Sequence, residues 1–170
     1  MDRRERGPLL ERLLLGNRRA VARGPALPQG SAPSERLAIV TCMDVRIDPL
    51  ALLGLGPGQA HVLRNAGGRV TDDVLRSLVI SQQALGTRAV VLMPHTQCGT
   101  LGLDVRALTP RPGVPAAAVP PLDFHPMADL EEALRGDLRL LRESPWLHPE
   151  TELVGLILDI ATGRVRSLGA

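Results

Sequence analysis

Apolar positions along the chain follow two rhythms. Short, mostly apolar runs occur at Leu37–Cys42, Ala60–Arg64, Arg88–Met93 and Leu153–Ile160. Runs of this length, punctuated by Gly, Pro and Asn, read as strands of a buried sheet. Between them the spacing becomes helical. Leu9, Leu10, Leu13 and Leu14 share one face of a helix predicted over residues 8–23, with Pro8 in its opening turn and Arg12, Arg18, Arg19 and Arg23 on its other side. Val74, Leu75, Leu78, Val79, Gln82 and Leu85 keep helical spacing from an N-cap at Thr71 to a stop at Gly86. Asp72 and Asp73 sit where a helix N-terminus favours negative charge. Leu130, Leu134, Leu138 and Leu141 mark a third amphipathic helix, which Pro145 ends.

This order predicts an α/β fold: a central, mainly parallel sheet of four strands, with right-handed crossovers and flanking helices. Thr162-Gly163 turns the chain, so Arg164–Leu168 is expected to return as an antiparallel edge strand. Pro49 opens a short helical or irregular segment, and Asn65-Ala66-Gly67-Gly68 marks a turn where backbone can approach another element or a ligand closely. Residues 24–35 hold three prolines and two glycines and read as a linker, so residues 1–35 form a helical arm and linker on one domain spanning 1–170. Six prolines between Pro110 and Pro126 argue against regular structure there.

Composition narrows the partners. A length of 170 residues fits one domain with a substantial core. No apolar run is long enough to span a bilayer. Glu11 and Arg12 interrupt the leucines of the N-terminus, which makes a poor signal peptide and leads us to expect a cytoplasmic protein. The net charge is +2, and all basic residues are arginine, interleaved with acids. Trp146 and Phe124 are the only aromatics, too few for a stacking platform on single-stranded nucleic acid. Neither nucleic acid nor membrane is an expected partner.

The chemistry gathers at two strand ends. Ile39-Val40-Thr41-Cys42-Met43-Asp44-Val45-Arg46 delivers a cysteine, a carboxylate and a guanidinium at alternating positions, and His95-Thr96-Gln97-Cys98 follows the third strand. If the second and third strands flank the first, the point where strand order reverses brings the two segments together. Two thiolates and an imidazole suit zinc, and three protein ligands without a fourth suggest a position open to water. Asp44 and Arg46, two apart on an extended segment, would point the same way beside the metal. Held by Arg46, Asp44 would accept a hydrogen bond from hydroxide on the metal; released, it could become a fourth ligand and close the site. Other readings remain. Cys42 alone would be a buried small side chain, a Cys42–Cys98 disulfide leaves His95, Asp44 and Arg46 unexplained, and a phosphatase-type loop needs more residues between its cysteine and arginine. His61, inside a short strand, reads as structural before it reads as a proton carrier, and His125 and His148 read as surface residues beside prolines.

Cys42-x-Asp44-x-Arg46 followed by His95-x-x-Cys98-Gly99 resembles the β-class carbonic anhydrases, and Ala60–Gly68, the Thr71–Leu78 helix start and the late apolar strand resemble their short bacterial branch. The resemblance covers roughly residues 35–168. It implies zinc on Cys42, His95 and Cys98, with Asp44 and Arg46 as the catalytic dyad. It also implies homodimers in which an N-terminal helix reaches the partner. The implied reaction is reversible hydration of carbon dioxide to bicarbonate and a proton by zinc-bound hydroxide. Because two thiolates cancel the formal charge of the metal, activity is expected to rise through and above neutral pH. The chain departs from the family pattern at Pro94, where a second histidine is frequent, at Gln97, where aspartate is frequent, and at Thr100, where methionine is frequent. None of these removes a ligand. Two other functions stay open: hydrolysis of a sulfur analogue, carbonyl sulfide or carbon disulfide, and a non-catalytic zinc-stabilised binding module.

Overall fold

The computed structural model describes residues 3–24 and 28–168, and the chain divides between Gly30 and Ser31 into two units. The first contains helix α1, Arg3–Ala22. It starts ahead of the expected position 8, so Pro8 lies inside the helix rather than in its opening turn. Arginine and glutamate are good helix formers, and their run ahead of Pro8 continues the helix although the proline forfeits one backbone hydrogen bond. Leu9, Leu10, Leu13 and Leu14 are 47–59% exposed. Of the linker expected at 24–35, residues 25–27 lie outside the described ones; the others form neither helix nor strand.

The second unit is built on a five-stranded sheet in the order β2-β1-β3-β4-β5. Strands β1 (Leu37–Cys42), β2 (Ala60–Asn65), β3 (Ala89–Met93) and β4 (Glu152–Leu158) run parallel, and β5 (Val165–Ser167) is the antiparallel edge. The expected architecture is present. β4 stops short of the expected Ile160 because Asp159 leaves the ladder to bind the turn. Its backbone nitrogen donates to the Arg164 carbonyl, and its carboxylate accepts from the Ala161 nitrogen at 2.9 Å.

Local chemistry sets the helix ends. The short α2 (Pro49–Leu52) is capped by Asp48, whose carboxylate accepts from the Ala51 nitrogen. Thr71 caps α3 (Asp72–Gln83) by accepting from the Val74 nitrogen, as its position predicts. Asp129 caps α4 (Leu130–Glu143) through the Glu132 nitrogen, and Pro145 follows its end. Between β3 and α4, residues 110–126 hold one short 3-10 turn, Ala116–Ala118, and otherwise no regular element. The segment is pinned at its base, where the Gly102 nitrogen donates to the Met127 carbonyl at 2.8 Å.

Two clusters cover the two faces of the sheet. Ala38, Val40, Val90 and Leu92 pack with Val74 and Leu78 of α3 and Leu134 and Leu141 of α4. Ile39, Val91 and Met93 pack on the other side with Ile47, Met127 and Leu158, and this second cluster also takes in Cys42 and Cys98. Each large apolar side chain so buried contributes about 1.5–3 kcal/mol. The ends of β1 and β3 are thereby held where the chemistry lies. A buried ion pair ties α4 to the turn after β2: Arg69 donates to both carboxylate oxygens of Asp137, at 2.7 and 3.0 Å, while Asp137 also accepts from the Val70 nitrogen.

Candidate metal centre

β2 pairs with β1 on one side and β3 pairs with it on the other, so strand order reverses between β1 and β3. Cys42 is the last residue of β1. Beyond β3 the ladder to β4 continues in fragments: Leu158 donates to the Pro94 carbonyl, Thr96 donates to the Leu158 carbonyl, and His95 bridges Leu158. These contacts fix the His95 backbone. Gln97 then adopts a left-handed conformation (φ 54°), which swings the chain around to Cys98.

The ligand atoms of Cys42, His95 and Cys98 all lie within 4.8 Å of one another, and the three residues are buried. The two sulfurs are 3.8 Å apart and the thiols are free; an S–S bond is about 2.05 Å. The disulfide alternative is therefore not formed. His95 Nδ1 sits 2.9 Å from the Thr96 carbonyl oxygen. A carbonyl only accepts, so Nδ1 carries the proton and Nε2 presents a lone pair. Among the described residues, Nε2 is the one fully buried side-chain nitrogen or oxygen without a hydrogen-bond partner. An orphaned buried acceptor beside two thiols fits a metal with affinity for nitrogen and sulfur. Burial also lowers the imidazole pKa, which keeps the lone pair free, and raises that of the Cys42 thiol.

Asp44 and Arg46 do pair, but not from an extended segment. Residues 45 and 46 form a turn closed by the Ile47 nitrogen donating to the Asp44 carbonyl at 3.1 Å, and the Arg46 side chain folds back. Its Nε and Nη2 donate to Oδ1 and Oδ2 of Asp44 at 2.9 and 2.6 Å, and its backbone nitrogen donates to Oδ1 at 3.0 Å. These bonds hold the Asp44 carboxyl well below the usual carboxylate range. Oδ2 lies 3.8 Å from His95 Nε2, which puts the anion at the rim of the ligand set. Arg46 Nη2 also reaches the Gln97 carbonyl at 3.4 Å, linking the two motif segments directly.

Other residues shape the site that motif reading passes over. Arg64 donates from Nε to the Cys42 carbonyl at 3.0 Å and from Nη2 to the Asp44 carbonyl at 2.6 Å. The one hint in the sequence is a charged residue closing an apolar strand. Gly68 (φ 66°) lies against the end of β1: a Cβ there would stand 2.8 Å from the Thr41 carbonyl carbon and 2.9 Å from the Cys42 nitrogen. The close approach expected of this turn is thus an approach to the strand that ends in Cys42. Thr100 Oγ1 lies 3.1 Å from Cys98 Sγ.

His61 is structural. Its Nδ1 pairs with Ser81 Oγ at 2.7 Å and its Nε2 with the Ser31 carbonyl at 2.8 Å. It stands opposite Ala38, near the end of β1 away from Cys42. His125 and His148 lie in loops, as expected.

Comparison with known proteins supplies the family. Residues 37–116 match the family model described as carbonic anhydrase. β-Carbonic anhydrase 1 of Mycobacterium tuberculosis is 40% identical over 158 residues, covering 91% of this chain and 94% of that protein. A carbon disulfide hydrolase of Acidianus sp. is 30% identical, covering 81% of this chain and 79% of its own. Among solved structures, the carbonic anhydrase of Streptococcus mutans superposes with a TM-score of 0.81 at 41% identity, over 94% of this chain and 97% of that one. Similarity at this level runs nearly end to end through both partners on the same fold, and the chain belongs to the β-carbonic anhydrase family.

Proposed function

We propose that Cys42, His95 and Cys98 hold one zinc ion and that the protein catalyses the reversible hydration of carbon dioxide to bicarbonate and a proton. The observation that carries this reading is the buried, unpartnered Nε2 of His95 between two free thiols, with an arginine-clamped carboxylate 3.8 Å away. When bound, the metal supplies the Lewis acidity that makes hydroxide available near neutral pH, its general role in carbonic anhydrases. Asp44 serves as an orienting acceptor. Held anionic by Arg46, it accepts a hydrogen bond at the rim of the ligand set and aims the oxygen that attacks carbon. So acidic a carboxyl is a poor store for the released proton, and His61, with both ring nitrogens engaged, does not carry it either. Arg46 keeps Asp44 off the metal; loss of that pair is the step that would close the site.

We further propose a homodimer in which the exposed leucines of α1 lie on the second subunit, with residues 1–35 acting as arm and linker to a single domain. A site built on two free thiols suits the reducing cytoplasm. Hydrolysis of carbon disulfide is the second reading, favoured by relatives of that name, two of which match at 30% and 29% identity over 81% of the chain.

The test is stopped-flow hydration of carbon dioxide by protein of measured zinc content, alongside the Asp44→Ala variant and a parallel assay with carbon disulfide. The expected result is turnover that tracks zinc and is mostly lost in Asp44→Ala while metal is retained. Full activity in that variant would remove Asp44 from the mechanism, and full turnover with carbon disulfide alone would exchange the substrate.

A further inference from the structure

Thr100 follows Cys98 by two positions, and its hydroxyl oxygen is 3.1 Å from the sulfur of Cys98. This is the one side-chain hydrogen bond that Thr100 makes among the described residues. Two features hold it there. The backbone turn that follows Cys98 is closed by the Leu101 nitrogen donating to the Cys98 carbonyl at 3.1 Å, which keeps residue 100 beside the sulfur of residue 98. Gly67 (φ 79°) leaves the space: a Cβ at that position would come within 2.8 Å of Thr100 Oγ1 and 3.1 Å of the Met127 methyl. A glycine from the turn after β2 and a hydroxyl from the loop after β3 therefore fit each other across the ligand set.

We propose that Thr100 is a positioning residue that donates its hydroxyl proton to the Cys98 thiolate when the metal is bound. The inference rests on the metal reading above. A metal-bound cysteine is a thiolate and acts as acceptor only, so a hydroxyl within hydrogen-bond distance of it has its donor role assigned. The bond draws electron density from the Cys98 sulfur, whereas the Cys42 sulfur takes its donors from the backbone nitrogens of Asp44 and Gly67. The two thiolates of this centre are thereby held by different donors, of which the hydroxyl on Cys98 is the one a side-chain substitution removes. The metal keeps more of its positive charge than two free thiolates would leave it, and its Lewis acidity rises accordingly.

Cobalt(II) substitution reads this directly, because its sulfur-to-metal charge-transfer absorption shifts with the energy of the sulfur lone pairs. Wild-type protein, Thr100→Val, which keeps the shape and loses the hydroxyl, and Thr100→Ser, which keeps the hydroxyl, are loaded with cobalt and their spectra compared at equal occupancy. The charge-transfer band of Thr100→Val is expected at longer wavelength than wild type, with Thr100→Ser restoring the wild-type position. Thr100→Ala serves as a second variant without the hydroxyl, in case valine disturbs the packing against Gly67. Coincident bands for the wild-type, valine and alanine proteins overturn the inference alone. A wild-type protein that binds no cobalt and no zinc overturns the metal reading, and this inference with it.

Discussion

The tightest constraint on the site is steric, and Gly68→Ala tests it. At φ 66° an alanine pays the left-handed penalty, about 1–2 kcal/mol. In addition its Cβ would sit 2.8 and 2.9 Å from backbone atoms of Thr41 and Cys42, which have no rotamer by which to withdraw. Relieving such overpacking costs about 1–3 kcal/mol more, so the total is about 2–5 kcal/mol by these terms. Gly86→Ala is the matched control: its φ is 78°, and nothing lies within 4 Å of the added Cβ. It should lose only the conformational part, about 1–2 kcal/mol. Urea unfolding of the metal-free proteins gives both values from shifts in midpoint at unchanged m. Because the strain in Gly68→Ala falls on the residue that carries a ligand sulfur, its zinc content after purification should also fall below that of wild type, while Gly86→Ala retains full content. Equal destabilisation of the two variants would refute the account of the turn as a close approach to β1.

Three further outcomes follow from the same geometry. Arg64→Met removes donors from the carbonyls of Cys42 and Asp44; it should cost about 1–2 kcal/mol and speed loss of zinc to a chelator, and a variant unchanged in both would show the clamp to be idle. Asp137→Ala strands the guanidinium of Arg69, which is 15% exposed; a loss of about 3–5 kcal/mol in urea unfolding is expected, and a loss below 1 kcal/mol would mean that water replaces the pair. Turnover should climb through and above neutral pH, since two thiolates offset the charge of the metal and Asp44, anionic throughout this range, adds no step of its own; a flat profile with zinc retained would contradict this.

β1 and β3 were legible because each is an apolar run buried in the parallel sheet, the exposed β5 because Thr162-Gly163 turns the chain back, and the α3 and α4 boundaries because Thr71 and Pro145 act locally. The proximity of Cys42, His95 and Cys98 was legible for a different reason: the point where strand order reverses brings the ends of β1 and β3 together. What the sequence hid is non-local. The role of Arg64 depends on the register that sets it opposite Thr41, with Asn65 opposite Cys42, and no apolar pattern reveals a register between strands so far apart. The turn at Val45–Arg46 was hidden because alternation of side chains looks the same in an extended segment and in a turn stapled by a carboxylate. The early start of α1 was hidden by Pro8, which marks an opening turn more often than an interior.

Cys42 and Cys98 stand 56 positions apart, and the segments that carry them become neighbours only when β3 has taken its place against β1. An unfolded chain therefore offers a metal the local pair His95 and Cys98 but not the second thiol beside it. Any ion that prefers the native donor set lowers the free energy of the closed topology and leaves the open chain almost untouched. Long-range parallel pairing of this kind is slow to form, and the ion's affinity rewards only its completion. Loading and folding are thus coupled through one event, the arrival of β3 beside β1.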